Sequence, residues 1–111
     1  SAGLPVQVHA TTDASAALRY ASHCDIAVAF VDATMPAMDG AALCRLLGEL
    51  QPACARVLIT ARDLLDAGVR SDNRGGVMRN LPKPWPVDLA PHLLTALDWH
   101  REALRSLPRA A

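Results

Sequence analysis

The 111-residue sequence lacks a net charge, a long apolar run and a recognisable targeting segment. Eleven Lys and Arg residues balance eleven Asp and Glu residues, so no overall field attracts nucleic acid or an anionic membrane. No apolar run approaches the roughly 20 residues that cross a bilayer. Residues 1–5 have neither the basic start nor the apolar core of a signal peptide. We therefore expect a cytoplasmic protein without direct contact to nucleic acid or membrane.

Cysteine and histidine are too few and too scattered to predict a metal site. The cysteines are Cys24, Cys44 and Cys54, without C-x-x-C spacing, and we interpret them as free buried thiols. The four histidines are interpreted as solvated or locally bonded. His92 and His100 are eight residues apart on one predicted helix, and no third ligand follows at a matching spacing.

What the sequence does contain is an alternation of strand and helix patterns, with 51% apolar residues. This is enough for one domain with a single core, expected over 1–111. Strands are predicted over 6–10, 26–31, 56–60 and 77–81, and helices over 14–23, 41–50 and 87–107, while 63–76 is ambiguous. Continuous apolar strands separated by helices predict an α/β fold, with a parallel sheet covered on both faces. The core is expected over 5–86, followed by the long C-terminal helix.

Three chemically useful residues follow three successive predicted strands: Asp32, Thr60 and Lys83. The carboxyl ends of parallel strands meet at one edge, where open α/β sheets place their chemistry. A carboxylate that accepts a phosphoryl group needs a nearby cation for the transferring oxygens and a donor for the new phosphate. Lys83 can supply the charge and Thr60 the hydroxyl.

The residues around these three resemble those of response-regulator receiver domains. The pattern D-x-x-M-P-x-M-D-G over 32–40 resembles the phosphoacceptor loop of that family, and 57–61 and 81–85 resemble its V-L-x-T-A and L-x-K-P-W segments. The resemblance covers roughly 6–105. It implies a flavodoxin-like (CheY-like), doubly wound parallel sheet in three α/β/α layers, incomplete at the N-terminus, and a regulatory role in two-component signalling rather than an enzyme proper.

The resemblance also implies roles for individual residues. Asp32 would accept a phosphoryl group from a histidine kinase or phosphotransfer protein, and Thr60, Ala61 and Lys83 would bind the phosphate. Mg²⁺ would be held by Asp32 and the backbone carbonyl of Thr34. The residues expected to shape the loops are Pro36, Asp39, Gly40 and Pro84. Asp39 would also favour the dipole of the helix after it, and the Lys83–Pro84 bond is a candidate for the cis form.

Two departures from the family pattern affect these expectations. The first strand of a receiver, its acidic pair and the following helix have no counterpart among these residues; they lie outside the 111 residues, or the protein is a divergent receiver. Without the pair we expect Mg²⁺ binding to be weak or absent in this chain. The predicted strands 6–10 and 26–31 would lack their shared neighbour, which favours a homodimer. The second departure is Asn80, where receivers usually carry Tyr or Phe.

Two alternatives remain at this point. A pseudo-receiver would act as a protein-interaction or dimerisation module without phosphorylation, which the missing acidic pair and Asn80 favour. A hydrolase with Asp32 as nucleophile ranks last, because no second acid lies close to Asp32 in the loop. The sequence specifies neither the kinase nor an output domain, and a phosphodiesterase or a transcription factor is suggested by analogy alone.

Overall fold

The computed structural model describes residues 7–34, 38–61, 79–83 and 88–107. In chain order the elements are α1 (Ala14–Ala21), β1 (Val28–Asp32), α2 (Gly40–Leu50), β2 (Ala55–Thr60), β3 (Arg79–Pro82) and α3 (Ala90–Ser106). The sheet has the order β1-β2-β3, and both strand pairs are parallel. The predicted α/β fold with a parallel sheet is confirmed.

Strand β2 is central and buried along its whole length, because helices cover both faces of the sheet. Successive side chains of a strand point to opposite faces. On one face Val57 and Ile59 pack in a cluster with Ala96 of α3, and on the other Leu58 packs in a cluster with residues of α1 and α2. Because both faces of β2 pack in the core, its sequence is an almost continuous apolar run.

Carboxylate caps begin two of the helices. The Asp13 side chain accepts a hydrogen bond of 2.9 Å from the Ser15 amide at the start of α1. Asp39 does the same for the Ala41 amide at the start of α2, also at 2.9 Å. Such caps satisfy amides that have no partner within the helix. The predicted role of Asp39 at the start of its helix is confirmed.

The side chain of Gln51, just beyond α2, ties the end of α1 to the segment that enters β1. Its Oε1 accepts a hydrogen bond of 2.6 Å from the Ile26 amide. Its Nε2 donates to the carbonyl oxygens of Ala21, at 2.7 Å, and Cys24, at 2.6 Å. The side-chain amide of Gln51 thus holds the end of α1 and the segment before β1 together.

A buried arginine joins α2 to β2. Arg56 is 8% exposed; its Nε donates to the carbonyl of Cys54 at 3.1 Å and its Nη1 to that of Cys44 at 3.0 Å. The guanidinium lies against Gly48, where an added Cβ would be 1.5 Å from Nη1. Gly48 therefore leaves the space that this charge occupies.

The predicted strand over 6–10 is wrong for the four of its residues that are described. Residues 7–10 are exposed and form no strand, and Val8 is 72% exposed. A strand requires a neighbouring ladder, and no strand pairs with these residues in the described part of the chain. Residues 62–78, which include the ambiguous segment and the start of the last predicted strand, lie outside the described residues.

The expectation for one cysteine needs correction. Cys24 is exposed, because it follows the end of α1, whereas Cys44 and Cys54 are buried as predicted. Helix α3 carries three exposed large apolar side chains, namely Leu94, Trp99 and Leu104, and Leu107 directly after it is also exposed. Only Ala96 of this helix is fully buried.

No helix within the described residues combines the length and hydropathy that a membrane span requires.

Candidate functional site

The three residues predicted from the strand ends lie together at one edge of the sheet. Asp32 is the last residue of β1, Thr60 is the last residue of β2, and Lys83 directly follows Pro82 at the end of β3. The register pairs Asp32 with Ile59 and Thr60 with Pro82, so the strands end almost level. The topology thus brings a carboxylate, a hydroxyl and an ammonium group to one place.

Asp32 and Lys83 form an ion pair. The distance from Lys83 Nζ to Asp32 Oδ1 is 2.9 Å, and each side chain is 33% exposed. The Lys83 amide also donates to the Thr60 carbonyl oxygen at 2.7 Å, which holds the lysine backbone against the end of β2. The expected proximity of Lys83 and Asp32 is confirmed. Because the pair is partly exposed, a small molecule or a partner protein can reach it from solvent.

A second hydrogen bond acts on the same carboxylate. The Thr34 amide donates to Asp32 Oδ1 at 2.9 Å. Partial burial raises the pKa of Asp32, but the hydrogen bonds from Lys83 and Thr34 and the charge of Lys83 outweigh it, so the pKa lies below its ordinary value. The carboxylate is therefore ionised at neutral pH, which is the form that acts as a nucleophile.

The contribution of the Thr34 amide was missed by the sequence reasoning, which gave this residue only a metal-binding carbonyl. A signal for it was present, because an Asp side chain often accepts a hydrogen bond from the amide two residues later. Such a turn orients the carboxylate from its own loop. Thr34 thus has an observed contact with the acceptor carboxylate through its nitrogen.

Two buried polar atoms lie on the neighbouring strands without partners. Thr60 is 5% exposed, and its Oγ1 has no hydrogen-bond partner among the described residues; the same is true of Asn80 Oδ1 on β3. Nearly all buried polar groups in proteins are paired. The Thr60 hydroxyl, which ends the strand next to that of Asp32, therefore has no acceptor for its hydrogen among the described residues. Ala61, which follows it, is half-buried.

The described residues do not by themselves form a magnesium site. Among them, no group of three or more His, Cys, Asp or Glu side chains could hold a metal ion. Mg²⁺ requires near-octahedral oxygen ligands, and here the Oδ1 of Asp32 already faces the ammonium group of Lys83. Pro36 and Pro84, and with the latter the predicted cis bond, lie outside the described residues.

The parallel α/β sheet ends in an acidic residue, a hydroxyl and a lysine, which is the arrangement that the resemblance to receiver domains predicts. The response regulator receiver domain family matches residues 2–96, and the chain belongs to this family. Receiver domains are regulatory modules of two-component signal transduction. No curated protein matches the chain significantly.

Solved structures show the same fold. The signal receiver domain of an HD domain-containing protein from Pseudomonas fluorescens Pf-5 is 28% identical, with a TM-score of 0.81 over 96% of this chain and 79% of that one. Adenylate cyclase from Rhodopirellula baltica is 22% identical, with a TM-score of 0.74 over 85% and 71% of the two chains. A CheY-like receiver domain protein from Methanospirillum hungatei JF-1 is 22% identical, with a TM-score of 0.67 over 80% and 71%. The flavodoxin-like fold is confirmed.

Proposed function

We propose that this chain is a phosphorylated receiver domain in which Asp32 accepts a phosphoryl group from a histidine kinase or a phosphotransfer protein. The observation that carries the proposal is the 2.9 Å ion pair between Asp32 and Lys83, at the edge of the sheet where the Thr60 hydroxyl has no partner among the described residues. An ionised nucleophile, a cation beside it and a buried donor are groups that favour phosphoryl transfer to a carboxylate.

In the proposed reaction, an oxygen of Asp32 attacks the phosphorus of a phosphohistidine on the partner. The phosphorus–nitrogen bond breaks, an acyl phosphate forms on Asp32, and the imidazole of the partner leaves with the electron pair of that bond. The Lys83 ammonium follows the negative charge from the carboxylate to the phosphoryl oxygens. Thr60 donates its hydroxyl hydrogen to one of those oxygens, which gives an acceptor to a buried hydroxyl that has none among the described residues.

The phosphorylated domain would then act on a partner or on an output domain that follows α3, and we propose a cytoplasmic location. The match to a receiver domain from an HD domain-containing protein supports an attached output domain. We treat residues 1–111 as one domain for this purpose. Catalysis of a further reaction is not part of the proposal, because the family is regulatory.

The decisive experiment is labelling with acetyl phosphate, with and without Mg²⁺, followed by mass spectrometry of the intact chain. We expect Asp32→Asn to abolish the label, because the amide cannot act as the nucleophile. Asp39→Asn is the matched control: it changes an acid in the same loop, keeps an N-cap oxygen, and should label normally. Label that persists in Asp32→Asn would place the acceptor elsewhere.

A second candidate function is a pseudo-receiver that binds a partner without phosphorylation. Asn80 favours it, since this residue on β3 cannot swing an aromatic ring between two positions, and so does the lack of a metal-binding cluster among the described residues. A folded wild-type chain that takes no label from acetyl phosphate or from a phosphorylated kinase would support this candidate.

We further propose that the chain associates with a second copy of itself through α3. The support is the exposure of Leu94 and Leu104, about half of each side chain, on a helix that otherwise packs on the sheet. In the described sheet, β1 also pairs on one side only, with β2.

A further inference from the structure

Gly40 begins α2 in close contact with the main chain of Asp32. A Cβ added at Gly40 would lie 2.3 Å from the Asp32 carbonyl oxygen, 2.7 Å from Ala33 Cα and 2.9 Å from the Asp32 carbonyl carbon. Real Cβ atoms essentially never approach another atom to less than 3.0 Å. All three atoms belong to the backbone, so none of them can turn aside as a side chain can.

The glycine is required here for space and not for an unusual backbone conformation. Gly40 is the first residue of α2, and its φ lies outside the left-handed region. Alanine is preferred over glycine within helices by roughly 0.5–1 kcal/mol. Helix preference therefore argues against glycine at this position, and the close approach to Asp32 explains it.

Hydrogen bonds on both sides hold the backbone that follows Asp32. The Gly40 amide donates to the Ala33 carbonyl oxygen at 3.1 Å, and the Ala33 amide donates to the Ile59 carbonyl oxygen at 2.8 Å. Ala33 is thus bonded to α2 on one side and to β2 on the other. Since the Asp32 carboxylate is oriented by the Thr34 amide of the same short segment, a shift of this backbone also moves the carboxylate.

From these contacts we infer that Gly40 is a positioning residue for phosphoryl transfer, which lets α2 close on the backbone of Asp32 and so aligns its carboxylate with Lys83. The inference rests on the proposed function and adds a residue to it that touches neither the phosphoryl donor nor the phosphate. It also gives α2 a direct mechanical connection to the acceptor.

The test is the rate of acetyl phosphate labelling in Gly40→Ala. The Asp32 carbonyl oxygen must recede by roughly 0.7 Å to reach the 3.0 Å limit, and misplacement by about 1 Å can slow a reaction by up to about 100-fold. We expect the maximal rate to fall at least about tenfold. The acetyl phosphate concentration that gives half the maximal rate should change little, because Lys83 and Thr60 are unaltered.

Gly48→Ala is the matched control, with the same substitution in the same helix. Its added Cβ meets the guanidinium of Arg56 and not the acceptor backbone. It should lose stability but label at the wild-type maximal rate under conditions where it is folded. A wild-type maximal rate in Gly40→Ala, or an equal loss in both variants, would overturn the inference. A wild-type chain that takes no label would instead overturn the proposed function.

Amide hydrogen exchange of the wild-type chain supplies a second measurement, should Gly40→Ala not fold. If α2 is closed on the acceptor backbone, the Gly40 and Ala33 amides should exchange as slowly as the amides at the centre of β2. Exchange at the rate of an exposed loop would show that these contacts open freely, and would overturn the inference.

Discussion

The ion pair of Asp32 and Lys83 is exposed enough that its contribution to stability is small. Each side chain is one-third accessible, and accessible ion pairs typically stabilise proteins by no more than about 1 kcal/mol. The pair is nevertheless held by the backbone, since the Lys83 amide is bonded to Thr60 and Asp32 to Thr34. Its position at the end of three strands matters more for chemistry than for folding.

Replacement of Lys83 by Met should give a pH-dependent loss of stability. The pKa of Asp32 is lowered in the folded state, so the stabilisation is present above the unfolded pKa of about 4 and disappears as the pH falls through the folded value. We expect a difference of up to about 1 kcal/mol in the free energy of unfolding at neutral pH, and none in strong acid. Urea titrations at several pH values measure it.

Labelling should also fall sharply in Lys83→Met, because no ammonium then neutralises the transferring oxygens. Arg101→Met is the control, since Arg101 forms an exposed ion pair with Asp98 on α3 and should leave labelling unchanged. A stability difference that persists undiminished in acid would show that Lys83 does not act through the carboxylate of Asp32.

The arrangement of individual site residues was predictable to the extent that it follows from strand ends. Asp32 and Thr60 close apolar runs and Lys83 directly follows β3, so parallel pairing of the three strands brings them together. The bond from Thr34 depends on loop geometry, and the exposure of Cys24 depends on where α1 ends, neither of which periodicity determines. Burial raises the pKa of Cys44 to about 12 and that of Cys54 to about 11, and the nearby charge of Arg56 acts in the opposite direction on both. No sequence pattern indicated that Arg56 lies near these two thiols.

Between elements, the packing of α2 on β2 depends on the fit of Arg56 beside Gly48. A buried guanidinium is normally costly unless its hydrogen bonds are made, and here two carbonyl oxygens accept them. A glycine in the middle of a helix weakens that helix. The helix tolerates Gly48 because a side chain there would displace the arginine.

A double-mutant cycle tests this fit. Gly48→Ala alone should lower the free energy of unfolding by about 1–3 kcal/mol, the usual cost of overpacking. In an Arg56→Met background the same change should be neutral or stabilising by up to about 1 kcal/mol, because only the helix preference of alanine remains. Chemical denaturation of the four chains gives the coupling. Equal effects of Gly48→Ala in both backgrounds would contradict the proposed contact.

The sequence predicted the type of each later helix and strand correctly, but at the start of the chain it predicted a strand that residues 7–10 do not form. The apolar runs of β1 and β2 identified both strands, although only β2 is buried along its whole length and β1 is mostly half-buried. Residues 7–10 alternate polar and apolar side chains, but no strand lies beside them in the described part of the chain. A strand forms only when a neighbouring strand accepts its hydrogen bonds, and the composition of one segment does not show whether such a neighbour exists.

For the whole molecule, α3 presents more apolar surface than the other described elements. Leu94 is 49% exposed and Leu104 is 53% exposed, Trp99 is also exposed on this helix, and so is Leu107 directly after it. Burying a leucine contributes roughly 1.5–3 kcal/mol. A second copy that covers part of this helix would therefore gain a substantial free energy.

Sedimentation equilibrium should show reversible self-association above the 11.8 kDa mass of one chain. Leu104→Glu should shift the equilibrium toward the monomer, because a charge would be buried without a partner. Leu50→Glu is the control, since Leu50 is 47% exposed but lies on α2. A monomer at every concentration, or association that Leu104→Glu leaves unchanged, would contradict an interface on α3.

The three amide contacts of Gln51 make the chain vulnerable to chemical ageing at one atom. Glutamine side chains lose ammonia slowly in water, and proteins adapted to heat contain fewer of them. Deamidation of Gln51 would replace Nε2 by an oxygen with almost no change of shape. The new carboxylate can only accept hydrogen bonds, and it would face the carbonyl oxygens of Ala21 and Cys24, to which Nε2 now donates. An old molecule would thus lose the hydrogen bonds that tie the end of α1 to the segment entering β1, while the apolar contacts of α1 in the core would remain.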